Sequence, residues 1–198
     1  MPDSPATRPS LLLRLRDPQD APAWNDFVQV YAPLIHRFGV RHGLQEADAD
    51  DVTQEVLRCV AEAIGHWDYD PRAGRFRSWL FTITRNQLLN CMQRRKRQPR
   101  VTGDTGMQEM LENVPATAED AEAFWDQEYE RQLFRWAAEQ VRGQFSERHW
   151  QAFWRTAVEE QDASQVAAAL QMSVGALYIA KSRVLGQLRQ KIQELGER

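Results

Sequence analysis

Apolar positions recur at intervals of three and four along much of the chain, the spacing of an α-helix with one buried face. Trp24, Phe27, Val28, Tyr31, Leu34, Ile35 and Phe38 form the first such face, and Gly39 and Gly43 then loosen or end it. Val52, Val56, Val60 and Ile64 form a second stripe, on a helix from about Ala47 whose acidic first turn suits the positive end of the helix dipole. Pro71 and Gly74 mark a turn, and the helical pattern resumes from Phe76 to Arg97. Beyond it, Trp125, Tyr129, Leu133, Trp136 and Val141 repeat at helical spacing until Gly143. Ser146 is placed to cap a helix carrying Trp150, Phe153, Trp154 and Ala157. Asp162, with Gln165 three residues on, starts another, and the last helix opens at Ser173. Strand-like alternation persists nowhere. The expected fold is all-α: two small helical domains, 11–100 and 119–198, joined by a flexible acidic linker over 101–118, with a helix-turn-helix in the second.

Composition narrows the class. In 198 residues, 42% are apolar and 27% charged, as in a folded soluble protein with polar connections. No apolar run reaches about 18 residues, and Leu11 to Leu13 is too short for a signal-peptide core, so a cytoplasmic location is expected. Cys59 and Cys91 sit far apart in helical stretches, which suits buried free thiols rather than a disulfide or a zinc site. The histidines, His36, His42, His66 and His149, lack metal-ligand spacing. Phosphate-binding glycine loops, dinucleotide fingerprints and nucleophile elbows are absent from the sequence, so neither catalysis nor a cofactor is expected.

The order of charges is more informative than their sum of -3. From Arg72 to Arg100 there are nine basic residues and no Asp or Glu, a stretch suited to polyanions. From Val101 to Glu130 there are nine acidic residues and no Lys or Arg. Within the basic stretch Trp79, Thr82, Asn86, Asn90, Gln93 and Arg97 recur at intervals of three and four. A ring followed by amides and guanidiniums is what opened nucleic acid needs, since rings stack on exposed bases and cations hold the backbone. Near the C-terminus, Ala163 to Leu170 and Ser173 to Val184 have helix-turn-helix proportions. Small Ala167 permits a close crossing, and Val166, Leu170, Leu177, Val184 and Leu188 supply a shared core. Stepping about 100° per residue from Leu177 turns Tyr178, Ile179, Ser182, Arg183 and Gly186 outward, towards a major groove, while Ser173 at the helix start can donate to phosphate.

Together these segments resemble the extracytoplasmic-function (ECF) sigma factors of the sigma-70 family. Asp48-Ala-Asp-Asp51-Val-Thr-Gln54-Glu55 resembles that family's region 2.2, Phe76 to Asn86 region 2.3, Asn86 to Arg97 region 2.4, and the C-terminal pair region 4.2. The wording of Ser173 to Val184 is most similar to planctomycete-type members. The resemblance implies core RNA polymerase as partner, through its β′ clamp and β flap, with Asp48, Asp51, Gln54 and Glu55 docking on the clamp. It implies promoter DNA as a second partner. Arg75, Phe76, Trp79, Thr82, Asn86, Asn90, Gln93 and Arg97 would recognise and melt the −10 element. Ser173, Tyr178, Ile179, Ser182 and Arg183 would read the −35 element. An anti-sigma protein or regulatory kinase is a further implied partner. Two departures stand out. Gln171 occupies the helix-to-helix turn where Gly is common, at a cost of about 1 kcal/mol if the backbone there needs φ > 0. Tyr178-Ile179-Ala180 stands where many members carry Lys-Ser-Arg, so an altered −35 preference is expected. The alternative reading is a helix-turn-helix regulator that acts without being a polymerase subunit.

Overall fold

The computed structural model describes residues 11–66, 76–97 and 118–195. Every regular element among them is a helix: α1 Leu11–Arg14, α2 Ala21–Arg41, α3 Glu46–Ala63, α4 Phe76–Arg97, α5 Ala118–Arg142, α6 Glu147–Ala157, α7 Ala163–Ala169 and α8 Val174–Leu195. No single helix among them is long and apolar enough to cross a membrane. The chain divides into two compact units, one Leu12–Gln132 and the other carrying the chain from Leu133 onward, with Leu11.

In the first unit α2 is the central element. Asp20 caps it by accepting from the Ala23 N–H at 3.0 Å, and Arg14 grips the same carboxylate at 2.7 and 2.8 Å. These bonds hold the Asp20 carboxyl below the usual carboxylate range, the Arg14 contact being the larger cause. Its buried face is Ala23, Phe27, Val30, Tyr31, Leu34, Ile35 and Phe38. Val28, expected on that face, is 39% exposed, because a 100° step puts it on the flank and Val30 takes the buried position. Gly39 lies inside the helix rather than ending it. A Cβ there would meet the Ala49 Cβ and Leu44 Cδ1 at 3.3 Å, so the glycine lets α3 approach closely. Gly43, at φ 87°, makes the turn after α2. The α3 stripe, Val52, Val56, Val60 and Ile64, is buried as expected.

The interval expected as a linker lies mostly outside the described residues, as does the turn at Pro71 and Gly74. The two compact units divide inside α5, between Gln132 and Leu133. The cause is the first half of α5, which completes the core of the first unit. Trp125 is 1% exposed, with its ring 5.4 Å from Phe38 and 5.7 Å from Phe81. Tyr129 stacks on Tyr31 at 5.7 Å. Between them the buried Glu128 accepts from Arg37 at 3.1 Å, Gln132 at 2.5 Å and Arg131 at 3.4 Å. A carboxylate so enclosed is tolerable because each bond to it is charged or firmly placed.

The second unit is built on the aromatic face of α6. Ser146 caps α6 through the His149 N–H, and Trp150 and Phe153 are buried, while Trp154 is half-buried and stacks on Trp150 and Phe134. Ala152, Val166, Ala167, Leu177 and Ala180 form the core that joins α6, α7 and α8. Asp162 caps α7 by accepting from the Ser164 and Gln165 N–H groups at 2.9 and 3.0 Å.

Candidate nucleic-acid interface

Helix α4 presents two different faces. Phe76, Leu80, Thr84, Leu88 and Cys91 point inward at steps of four and three, and all are buried. Thr84 satisfies its hydroxyl by donating to the Leu80 carbonyl at 2.8 Å. On the other side Thr82, Asn86, Asn90 and Gln93 are exposed, so the amide stripe expected from the spacing faces solvent. Phe76, expected to contact DNA, is 3% exposed and lies 6.0 Å from Phe27 and 5.7 Å from Tyr31. As the first residue of α4 it stands exactly one buried-face step before Leu80, which turns it inward. Trp79 is half-buried, with its ring 5.3 Å from Phe76. Arg75 lies outside the described residues, as does the side chain of Arg97.

The basic stretch is partly matched by acids distant in sequence. Arg77 reaches Asp126 at 3.6 Å and lies over the Tyr129 ring at 4.6 Å, both on α5. Arg95 pairs with Asp48 and donates to the Gln45 side chain at 3.3 Å. Arg85 and Arg94 are exposed.

Helices α3 and α4 line a groove of about 790 Å³ whose walls are Asp51, Gln54, Glu55 and Arg58 on one side and Gln87, Asn90, Gln93 and Arg94 on the other. Residues expected to dock on polymerase therefore share one groove with residues expected to touch DNA. Asp51 and Gln54 are exposed. Glu55 is held by Arg58, which also binds Glu62 at 2.5 Å, and the Arg58 contact keeps the Glu55 carboxyl below its ordinary range. Gln87 donates to the Cys59 sulfur at 3.6 Å. Cys91 is buried and Cys59 half-buried, and both are free thiols.

In the second unit α7 and α8 meet at 100°, within the range of a helix-turn-helix. The turn places Gln171 at φ 52°, so a non-glycine residue does occupy the left-handed region there. Gln171 donates its N–H to Ala168 at 3.1 Å and Met172 to Ala167 at 3.0 Å, which closes the turn. Ser173 accepts from the Ala176 N–H at 3.1 Å and so caps α8. Leu177, Val184 and Leu188 are buried with Val166, while Leu170 is half-buried. Ser173, Tyr178, Ile179, Ser182 and Arg183 are all exposed.

Residues 27–98 match the sigma-70 region 2 family. The match covers most of α2 and all of α3 and α4. The chain is similar to the ECF RNA polymerase sigma factor SigE of Mycolicibacterium smegmatis, at 34% identity over 76 residues, 38% of this chain and 28% of that protein. It is also similar to the ECF RNA polymerase sigma factor RpoE of Cereibacter sphaeroides, at 30% over 90 residues, 46% of this chain and 48% of that protein. The chain thus spans less than half the length of these relatives. Among solved structures, a chain from the structure of CnrH in complex with the cytosolic domain of CnrY is similar at 17% identity and a TM-score of 0.38, covering 92% of this chain and 95% of that chain.

Within the matched segment, Arg58 and Gln87 are groove residues that sequence reasoning did not single out. The signal for Arg58 was available: Asp51, Gln54, Glu55 and Arg58 stand at i, i+3, i+4 and i+7, opposite the valine stripe. Pairing that face with α4 required the tertiary structure.

Proposed function

We propose that this chain is an ECF-type sigma factor, a non-catalytic subunit that binds core RNA polymerase in the cytoplasm and directs initiation at particular promoters. The observation that carries the reading is the region 2 match, over a helix whose exposed face is a continuous row of Thr82, Asn86, Asn90 and Gln93. Amides can hydrogen-bond base edges once strands separate, and the half-buried Trp79 ring offers a stacking surface at the end of that row. On this reading Thr82, Asn86, Asn90, Gln93, Arg75, Arg97 and Trp79 serve the −10 element, and Phe76 supports Trp79 from the core. Asp51 and Gln54 are the exposed part of the clamp-docking surface, with Glu55 and Asp48 already engaged by Arg58 and Arg95. The helix-turn-helix of α7 and α8 would read the −35 element through Ser173, Tyr178, Ile179, Ser182 and Arg183, and residues 101–118 would connect the two activities. The β flap, an anti-sigma protein and a regulatory kinase remain partners proposed from family resemblance, and the planctomycete-type affinity rests on the wording of Ser173 to Val184. Run-off transcription from a promoter library, with core polymerase in the presence and absence of the chain, tests the function. Promoter-specific transcripts that depend on the chain are expected; their absence, with core shown to be active, rejects it.

A further inference from the structure

On the −35 reading just given, we propose that Tyr178 and Ile179 read thymine methyl groups at adjacent base pairs, so that apolar contact sets much of the −35 preference. These are the two most exposed large apolar side chains among the described residues, at 55% and 57%, and they are neighbours on one helix. Single exposed apolar residues are ordinary on a protein surface, but here an adjacent pair on the outward face of a helix-turn-helix is joined by Val174, 39% exposed and one turn earlier on the same helix.

Their setting favours duplex DNA over an apolar protein partner. Between Asp162 and Glu194 the sequence has no acidic residue, and Arg183 and Arg189 are exposed, while Lys181 donates to the Thr156 carbonyl and Lys191 pairs with Glu194. Gly175 and Gly186 stand one turn before and about two turns after the pair, and an added Cβ at either would meet nothing within 4 Å. Glycine inside a helix is destabilising by roughly 0.5–1 kcal/mol relative to alanine, and here packing within the chain gives no reason for it. Approach of an outside surface to the helix backbone does give one. The hydrogen-bonding side chains on this face are few, Ser182 and Arg183 being the exposed ones beside the pair. In the major groove the feature that an apolar side chain can distinguish is the thymine C5-methyl. Because neighbouring helical residues diverge by about 100°, Tyr178 and Ile179 reach different base pairs rather than the same one.

The test uses holoenzyme assembled from core polymerase and the full chain. A promoter library randomised at −35 is selected for binding, and each thymine of the selected element is then replaced in turn by deoxyuridine, which lacks only the methyl. Adjacent thymines are expected, each deoxyuridine weakening binding about fourfold, the worth of one buried methyl-sized group. Tyr178→Ala and Ile179→Ala should each lose the sensitivity at one position and keep it at the other. Both side chains are more than half exposed, so the variants should fold, which circular dichroism checks. A selected element without thymines, or one indifferent to deoxyuridine, overturns the proposal and leaves the −35 reading standing. No selection at −35, with the −10 preference intact, overturns the −35 reading itself and this proposal with it.

Discussion

The two helices assigned to DNA, α4 and α8, are positioned by different kinds of interaction. The start of α8 is set by neighbours close in sequence, since Asp162 and Ser173 cap α7 and α8 and the turn between them closes through Gln171 and Met172, while its buried face packs on Ala152 of α6. α4 depends on partners far away in the chain. Arg77 pairs with Asp126, Arg95 with Asp48, and Phe81 with Trp125. The turn and start of α8 are therefore legible locally, whereas the charge available on α4 is decided by tertiary pairing.

The largest effect should follow from removing the buried aromatic member of these supports. Trp125→Ala empties a site that is 1% exposed and should lower stability by about 3–5 kcal/mol. Hydrogen exchange locates the loss. Faster exchange in α2 and α4, with α7 and α8 little changed, is expected if the first half of α5 belongs to the first unit. Loss confined to α6 to α8 would return Trp125 to the second domain, where its sequence position alone had put it.

The next test concerns what the exposed face of α4 does once its support is intact. Asn86→Ala should leave folding and core binding unchanged, because Asn86 is exposed, and should slow promoter opening. If Asn86 makes a specific base contact, the effect is about 1–3 kcal/mol, the worth of a good amide-to-base pairing. Permanganate footprints of the bubble measure it. Asp51→Lys should do the opposite, weakening core binding by affinity measurement and leaving the circular dichroism unchanged.

Helix α4 from Phe76 to Arg97, the valine stripe of α3, and the caps at Ser146 and Asp162 followed directly from spacing and residue type, since each is fixed within a few residues. Two other features did not. Periodicity showed that Trp125 and Tyr129 share a face, but not which unit that face would cover. Reading nine basic residues as uncompensated missed Asp126 and Asp48, which are 49 and 47 positions from Arg77 and Arg95 (126 − 77 and 95 − 48). Phe76, given a −10 role by the family resemblance alone, stands one four-residue step before Leu80 and is buried with it.

The locally determined half of the comparison can be sharpened at Gln171. A side chain at φ 52° carries a strain that glycine lacks, so Gln171→Gly should stabilise the second unit by about 1 kcal/mol, offset in part by glycine's greater freedom when unfolded. Chemical denaturation measures the change. No gain, or a loss, would mean that the Gln171 side chain contributes as much as its backbone costs.

The smallest effect is a change in pH slope in the first unit. His42 is 3% exposed, its Nδ1 lies 2.6 Å from the Phe38 carbonyl, and its ring sits 4.0 Å from that of Phe38. Burial lowers its pKa, with the nearby Arg41 acting in the same direction and the Phe38 carbonyl opposing. The folded protein therefore prefers neutral His42, while the unfolded chain takes up a proton near the ordinary value of about 6.5. As pH falls below that value the unfolded state binds more protons, so stability declines until the lowered folded pKa is passed. His42→Phe keeps a ring beside Phe38 and removes the titration. The variant should be less sensitive than the parent to acidification from about pH 7 to about pH 5, measured by urea denaturation at each pH. Because the two proteins differ only at residue 42, the difference between the two slopes isolates His42. Equal slopes would show that His42 is already solvated in the folded state, and would remove this residue from the buried support on which the first unit depends.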